Sequence, residues 1–167
     1  MSLTIELHLK TREIYRLFEL KIDEKRLFMD SVFKKINRIN LTTPEAHLQV
    51  EQNLRSLISE FTQKTEFFEK ILESNTKIKA KTIHVTPQFH TSITVINKLE
   101  VLLIEFINCY DNLIALIKLL HLAGCFDSDK AYNTNLKHMK KIGSKTLSNI
   151  LLLSIVKNTK SLSKALS

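Results

Sequence analysis

The sequence predicts a mainly α fold with a small β component: a long-helix bundle plus a short antiparallel strand pair. Three observations predict it. Only two Gly and two Pro occur in 167 residues, too few for an all-β protein built on tight turns. Leu, Ile, Lys and Glu are abundant, which suits helices. Two stretches, near 3–9 and 81–95, alternate apolar with polar residues instead. One domain is expected over residues 1–160, with a frayed tail over 161–167.

The first element, "LTIELHL", puts Leu3, Ile5, Leu7 and Leu9 on one face and Thr4, Glu6 and His8 on the other. That is a half-buried strand. "TREIYRLFELK" then reads as helix, with Ile14, Leu17 and Phe18 on one stripe. Helical spacing continues through Leu27, Phe28, Val32, Phe33 and Ile36, as one helix or two between Thr11 and Arg38.

"NLTTPEAH" is a helix start. Thr43 suits the N-cap, Pro44 the first helical position and Glu45 the first turn. The helix should run to about Ser74 on a stripe of Val50, Leu54, Leu57, Ile58, Phe61, Phe68, Ile71 and Leu72. Its length suits either a core helix or a pairing surface for a second protein over 43–74.

A basic connector leads to two short extended pieces around Pro87, Lys81–Val85 and Gln88–Val95. In the second, Phe89, Thr91, Ile93 and Val95 share one face, and Gln88, His90, Ser92 and Thr94 the other. Asn97 can cap the next helix. Its apolar residues from Leu99 to Leu120 cover most of its circumference, which marks a central helix ending at Gly124. Asp127 or Ser128 can begin a last helix with a break at Gly143 and Ser144 as a second cap.

The formal charge is +8, and it is unevenly placed. No acidic residue follows Asp129, whereas Lys130, Lys137, Lys140, Lys141, Lys145, Lys157, Lys160 and Lys164 do. A one-sided basic end suits a polyanion, and a solvated lysine face is the alternative. Cys109 and Cys125 show no zinc spacing and read as small hydrophobes of a reducing compartment. The opening residues lack the apolar run of a signal peptide. Glu100, Glu105, Asp111 and Lys118 interrupt the most apolar window, which argues against a membrane span. A cytoplasmic protein is expected.

Little here suggests an enzyme or a cofactor. "GSKT" at 143–146 echoes the end of a phosphate loop, but the upstream glycine and strand are missing. Ser144 and Lys145 at a helix N-terminus could still hold a phosphate. The six histidines show no HxxxH or HExxH spacing. His84 and His90 converging across a hairpin would supply too few ligands, so no metal is expected.

Binding is the reading that remains. Gln88, His90, Ser92 and Thr94 carry side chains that suit base edges, and a two-stranded ribbon fits the major groove. A chain offering one such strand would need a second copy to complete the ribbon, unless the N-terminal strand lies beside Gln88–Val95 within one chain, an arrangement that favours the protein-binding alternative. Lys79, Lys81 and Lys98 flank the strand. With Lys137, Lys140, Lys141, Ser144 and Lys145 they are the phosphate-holding candidates. Polar residues on the wet side of an ordinary edge strand would look the same.

Three stretches carry a family resemblance. "LHLKTREIYRLF" has the strand, threonine and "LF" pair at Leu7, Leu9, Thr11, Leu17 and Phe18. "LTTPEAHLQV" has Pro44 and Ala46. "INKLEVLLIEFINCYDNLIALIKLLHLAGCFDSDKA" has Tyr110, Asp111 and Gly124. Over roughly Leu3–Asn149 the chain resembles the AcaB-like regulators encoded by conjugative plasmids and integrating conjugative elements. The resemblance implies a cytoplasmic DNA-binding regulator of transfer genes, dimeric around a ribbon-helix-helix-like element. The helix at Leu99 would form the dimer core. No arginine lies in the ribbon, which removes the strongest guanine reader. The competing expectation is a helical protein–protein adaptor of a secretion or conjugation machine. It predicts an exposed apolar stripe on the 43–74 helix and no DNA binding.

Overall fold

A computed structural model describes residues 1–154. The expected tail over 161–167 lies outside the described residues, as do Lys157, Lys160 and Lys164. The chain order is β1 (Leu3–Leu9), α1 (Arg12–Glu19), α2 (Phe28–Thr42), α3 (Pro44–Asn75), a single 3₁₀ turn (Ala80–Thr82), β2 (Phe89–Val95), α4 (Lys98–Leu122) and α5 (Asp129–Leu152). The predicted class stands: a helical bundle carrying one antiparallel strand pair.

α4 is the hub. Fourteen of its residues are buried, among them Leu103, Phe106, Ile107, Leu113, Ile114 and Ile117. α3 lays Leu54, Phe61 and Leu72 along it, and all three are fully covered. Phe61, Phe106 and Tyr110 form a ring cluster with centroids 5.5 to 5.9 Å apart. Aromatic groups bury large areas, so this cluster is a principal anchor of α3 on α4. The α3 stripe is therefore spent inside the chain. α4 is likewise covered by its own chain's helices, which corrects the expectation that it forms a dimer core.

Local chemistry explains the boundaries. α1 and α2 are separate because residues 20–27 turn. Asp23 Oδ1 accepts from Lys25 N at 2.9 Å and Arg26 N at 3.0 Å. Thr43 and Pro44 start α3 as expected, but the Thr43 side chain makes no cap bond; its hydroxyl pairs with that of Thr42 at 3.2 Å. Asn97 caps α4 by accepting from Glu100 N at 2.9 Å, and the Glu100 carboxylate accepts from Ile96 N at 3.1 Å. α4 ends in a Schellman motif. Gly124 takes φ 73°, its N–H donates to His121 O, and Cys125 N–H donates to Leu120 O. Ser128, the second of the two anticipated residues, caps α5.

Two expected element boundaries differ. Lys81–Val85 is not a strand; the 3₁₀ turn and a coil run there, and β2 begins only at Phe89, beyond Pro87. A proline has no N–H for a ladder, and here pairing starts after it. Nor does α5 break at Gly143, which sits buried in mid-helix under the Tyr110 ring. The glycine serves close packing between helices rather than a stop.

Candidate nucleic-acid interface

β1 and β2 pair within the chain, antiparallel, from Leu3↔Val95 to Leu9↔Phe89. The ribbon is complete in one copy, which decides between the two open arrangements in favour of pairing within one chain. Alternation then decides both faces. Leu7, Leu9 and Val95 are buried, and Phe89 stacks on Tyr15 of α1 at 4.9 Å. Thr4, Glu6, His8, His90, Ser92 and Thr94 all point outward.

Register sets the outward face as three cross-strand pairs: Thr4 with Thr94, Glu6 with Ser92, and His8 with His90. The two threonine hydroxyls are 3.5 Å apart, and the two histidine Nδ1 atoms 2.7 Å. Gln88 is exposed but lies outside β2; its backbone N–H donates to Leu9 O at 3.1 Å. So three of the four base-reading candidates share one face, and Gln88 stands at its edge. The half contributed by β1 was legible as a polar face, but nothing local named its partner. Glu6 adds a negative charge in the middle of that face. Lys34 of α2 stands beside Ser92 and Thr94 across a shallow cleft, with Asp30 on the same wall.

The flanking lysines divide. Lys98 is the first residue of α4, just past the Val95 end. Lys79 and Lys81 sit at the 3₁₀ turn, before the Phe89 end. A seven-residue strand is about 20 Å long, so these cations bracket the ribbon rather than cluster.

α5 carries the larger basic surface. At about 100° per residue, Lys130, Lys137, Lys140, Lys141, Ser144 and Lys145 fall on one face. Met139, Gly143, Leu147 and Ile150 occupy the buried side. All five lysines are exposed, and none forms an ion pair among the described residues. Ser144 belongs to this face but not to a helix start. Its N–H is inside a continuous helix, so the expected phosphate contact through free backbone donors does not form.

One carboxylate approaches this surface. Burial pushes the Glu13 carboxyl up, but the Lys118 Nζ bonds at 2.8 and 3.0 Å outweigh it, with Lys140 adding a weaker pull, so it lies below its usual range. Glu13 is thus already engaged by Lys118, which leaves the α5 lysines free for other anions. Lys35 Nζ donates to Leu151 O at 3.2 Å, a cation at the C-terminal end of α5. No bond, ion pair or ring contact among the described residues joins the ribbon to α5.

His84 lies in the coil before β2, and the partner of His90 is His8. Among the described residues no group of three or more His, Cys, Asp or Glu could hold a metal ion. No described helix is long and apolar enough to cross a membrane. No family model, curated protein or solved structure matches the chain.

Proposed function

We propose that the protein is a cytoplasmic DNA-binding regulator, gripping duplex phosphates with the lysine face of α5. The observation that carries this reading is the exposed series Lys130, Lys137, Lys140, Lys141 and Lys145 on a face without an acidic residue after Asp129. From Lys130 to Lys145 the helix rises about 22 Å. That length of duplex axis carries about a dozen phosphate charges, so every lysine has a phosphate in reach. Sequence preference is assigned to the outward ribbon face, through His90, Ser92 and Thr94, with Lys79, Lys81 and Lys98 at its ends. Regulation of transfer genes rests on the resemblance to AcaB-like regulators alone.

The test is binding to a mixed pool of duplex fragments at two salt concentrations, with solution mass read alongside. Affinity that collapses with salt supports the phosphate grip. Retention of a subset of fragments, lost in His90→Ala, supports base reading. No binding at low salt contradicts both.

A protein-binding adaptor is the second reading, and the self-contained ribbon favours it because no second copy is required. Its own expectation of an exposed stripe on α3 is not met: Val50, Leu54, Phe61, Phe68 and Leu72 are buried, and only Leu48 and Phe67 are exposed large apolar groups there.

A further inference from the structure

We propose that His8 and His90 form a two-histidine chelate for a borderline divalent transition-metal ion such as Zn²⁺ or Ni²⁺, with Glu6 orienting the His8 ring. The inference does not rest on the DNA reading. It rests on cross-strand register, which places the two imidazoles directly opposite each other on the outward face.

The geometry is close to what a metal requires. The Nδ1 atoms are 2.7 Å apart and the rings meet at 83°. Metal–N bonds are about 2.0–2.1 Å, so two nitrogens stand about 2.9 Å apart at the right angle of an octahedral ion and about 3.3 Å apart at the tetrahedral angle that Zn²⁺ prefers. A widening of about 0.2 Å for an octahedral ion, or about 0.6 Å for tetrahedral Zn²⁺, taken up by side-chain rotation, replaces a hydrogen bond with two metal bonds. In the metal-free pair one Nδ1 carries a proton and the other accepts it. On binding, both Nδ1 atoms become ligands and each neutral ring carries its proton on Nε2. The proton that leaves the donor Nδ1 is regained from solvent at Nε2 of the same ring.

Glu6 supplies the orienting group. Its Oε2 is 3.9 Å from His8 Nε2, two residues along the same strand and so on the same face. Ligating histidines commonly donate their other N–H to a carboxylate, which fixes the tautomer and strengthens the ligand. A modest Glu6 rotation closes that contact. Imidazole donors select Zn, Cu and Ni over Mg or Ca. Only two protein ligands are present, so the remaining positions are open to water. The site is accordingly exchangeable rather than structural. Binding would tie β1 to β2 and stabilise the folded chain by mass action.

The test uses the full chain stripped of metal, titrated calorimetrically with Zn²⁺ or Ni²⁺ alone near neutral pH. One equivalent should bind, with a rise in Tm. His8→Ala and His90→Ala should each lower the affinity at least tenfold and abolish the Tm rise. His84→Ala and His121→Ala should leave both unchanged. The His8 side chain is 51% exposed, so its removal leaves the core intact and the variant folded. Absence of binding, or binding that survives in the His8→Ala/His90→Ala double variant, overturns the proposal.

Discussion

The Tyr110 ring occupies the space that a side chain at Gly143 would need. The same ring donates its hydroxyl to Lys140 O at 3.0 Å, so one aromatic group both spaces and ties α4 to α5. Glycine in mid-helix costs about 1 kcal/mol against alanine, so propensity alone favours replacing it. Overpacking a filled core costs about 1–3 kcal/mol. The overlap here is with ring carbons, not a flexible tail, so packing wins.

Gly143→Ala should therefore destabilise the fold by about 1–2 kcal/mol, lowering Tm by roughly 2–4 °C per kcal/mol for a chain of this size. Tyr110→Phe should not rescue it, because the clashing carbons remain. Tyr110→Leu in the same background should recover part of the loss. Denaturant melts of the three variants check this, and a stabilised Gly143→Ala would show that the helices part freely.

Alkaline pH should loosen the same junction. Burial pushes the Tyr110 hydroxyl up to about 12 from its ordinary 10, with the nearby Ser144 hydroxyl opposing the shift. The folded state thus holds a proton that the unfolded state releases first. The contribution is present in full below pH 10 and is lost as pH rises from 10 towards 12. Tyr110→Phe should lose this pH-dependent part of the stability. Tyrosinate absorbance followed during alkaline titration reads the shift directly.

Asp111 should be the most sensitive polar position. It is buried, and its carboxylate accepts from Lys10 N at 2.7 Å, Thr11 N at 3.0 Å and Thr11 Oγ1 at 2.7 Å. Those bonds pin the β1–α1 corner to α4. Hydrogen bonds to a charged acceptor contribute about 1.5–3 kcal/mol, and stranded buried donors add a penalty. Asp111→Ala should cost about 3 kcal/mol. A double-mutant cycle with Thr11→Ala should be non-additive by at least about 0.5 kcal/mol. Additive losses would mean that the corner is held by other contacts.

The amount legible in the sequence differs element by element. β1 could be read to the residue because period-2 alternation is a local property. α4 was legible from its equally local run of apolar residues around the helix, and its end from Gly124. The partner of β1 was not: local pattern decides which residues share a face, not which strand lies alongside. That gap left two arrangements open, a ribbon shared between copies and one paired within the chain, and it left His8 and Glu6 out of the candidate face. Gly143 read as a helix breaker because its tertiary reason, the Tyr110 ring, is 33 residues away in the chain. The α5 lysines were legible as a charge run, and helical geometry then gathered them on one face. What the sequence could not supply is that no bond, ion pair or ring contact among the described residues ties them to the ribbon.

A grip of the α5 lysine face on duplex phosphates is read from the salt dependence of duplex affinity, followed by fluorescence anisotropy. The comparison is between the native chain and a Lys137→Ala/Lys141→Ala/Lys145→Ala variant. Each phosphate contact contributes about 0.9 to the slope of log affinity against log salt. Five lysine–phosphate contacts give a native slope of about 4 to 5 in magnitude, lowered by about 3 in the variant, with affinity falling for all fragments alike. Equal slopes in the two proteins, or no affinity at low salt, would contradict it.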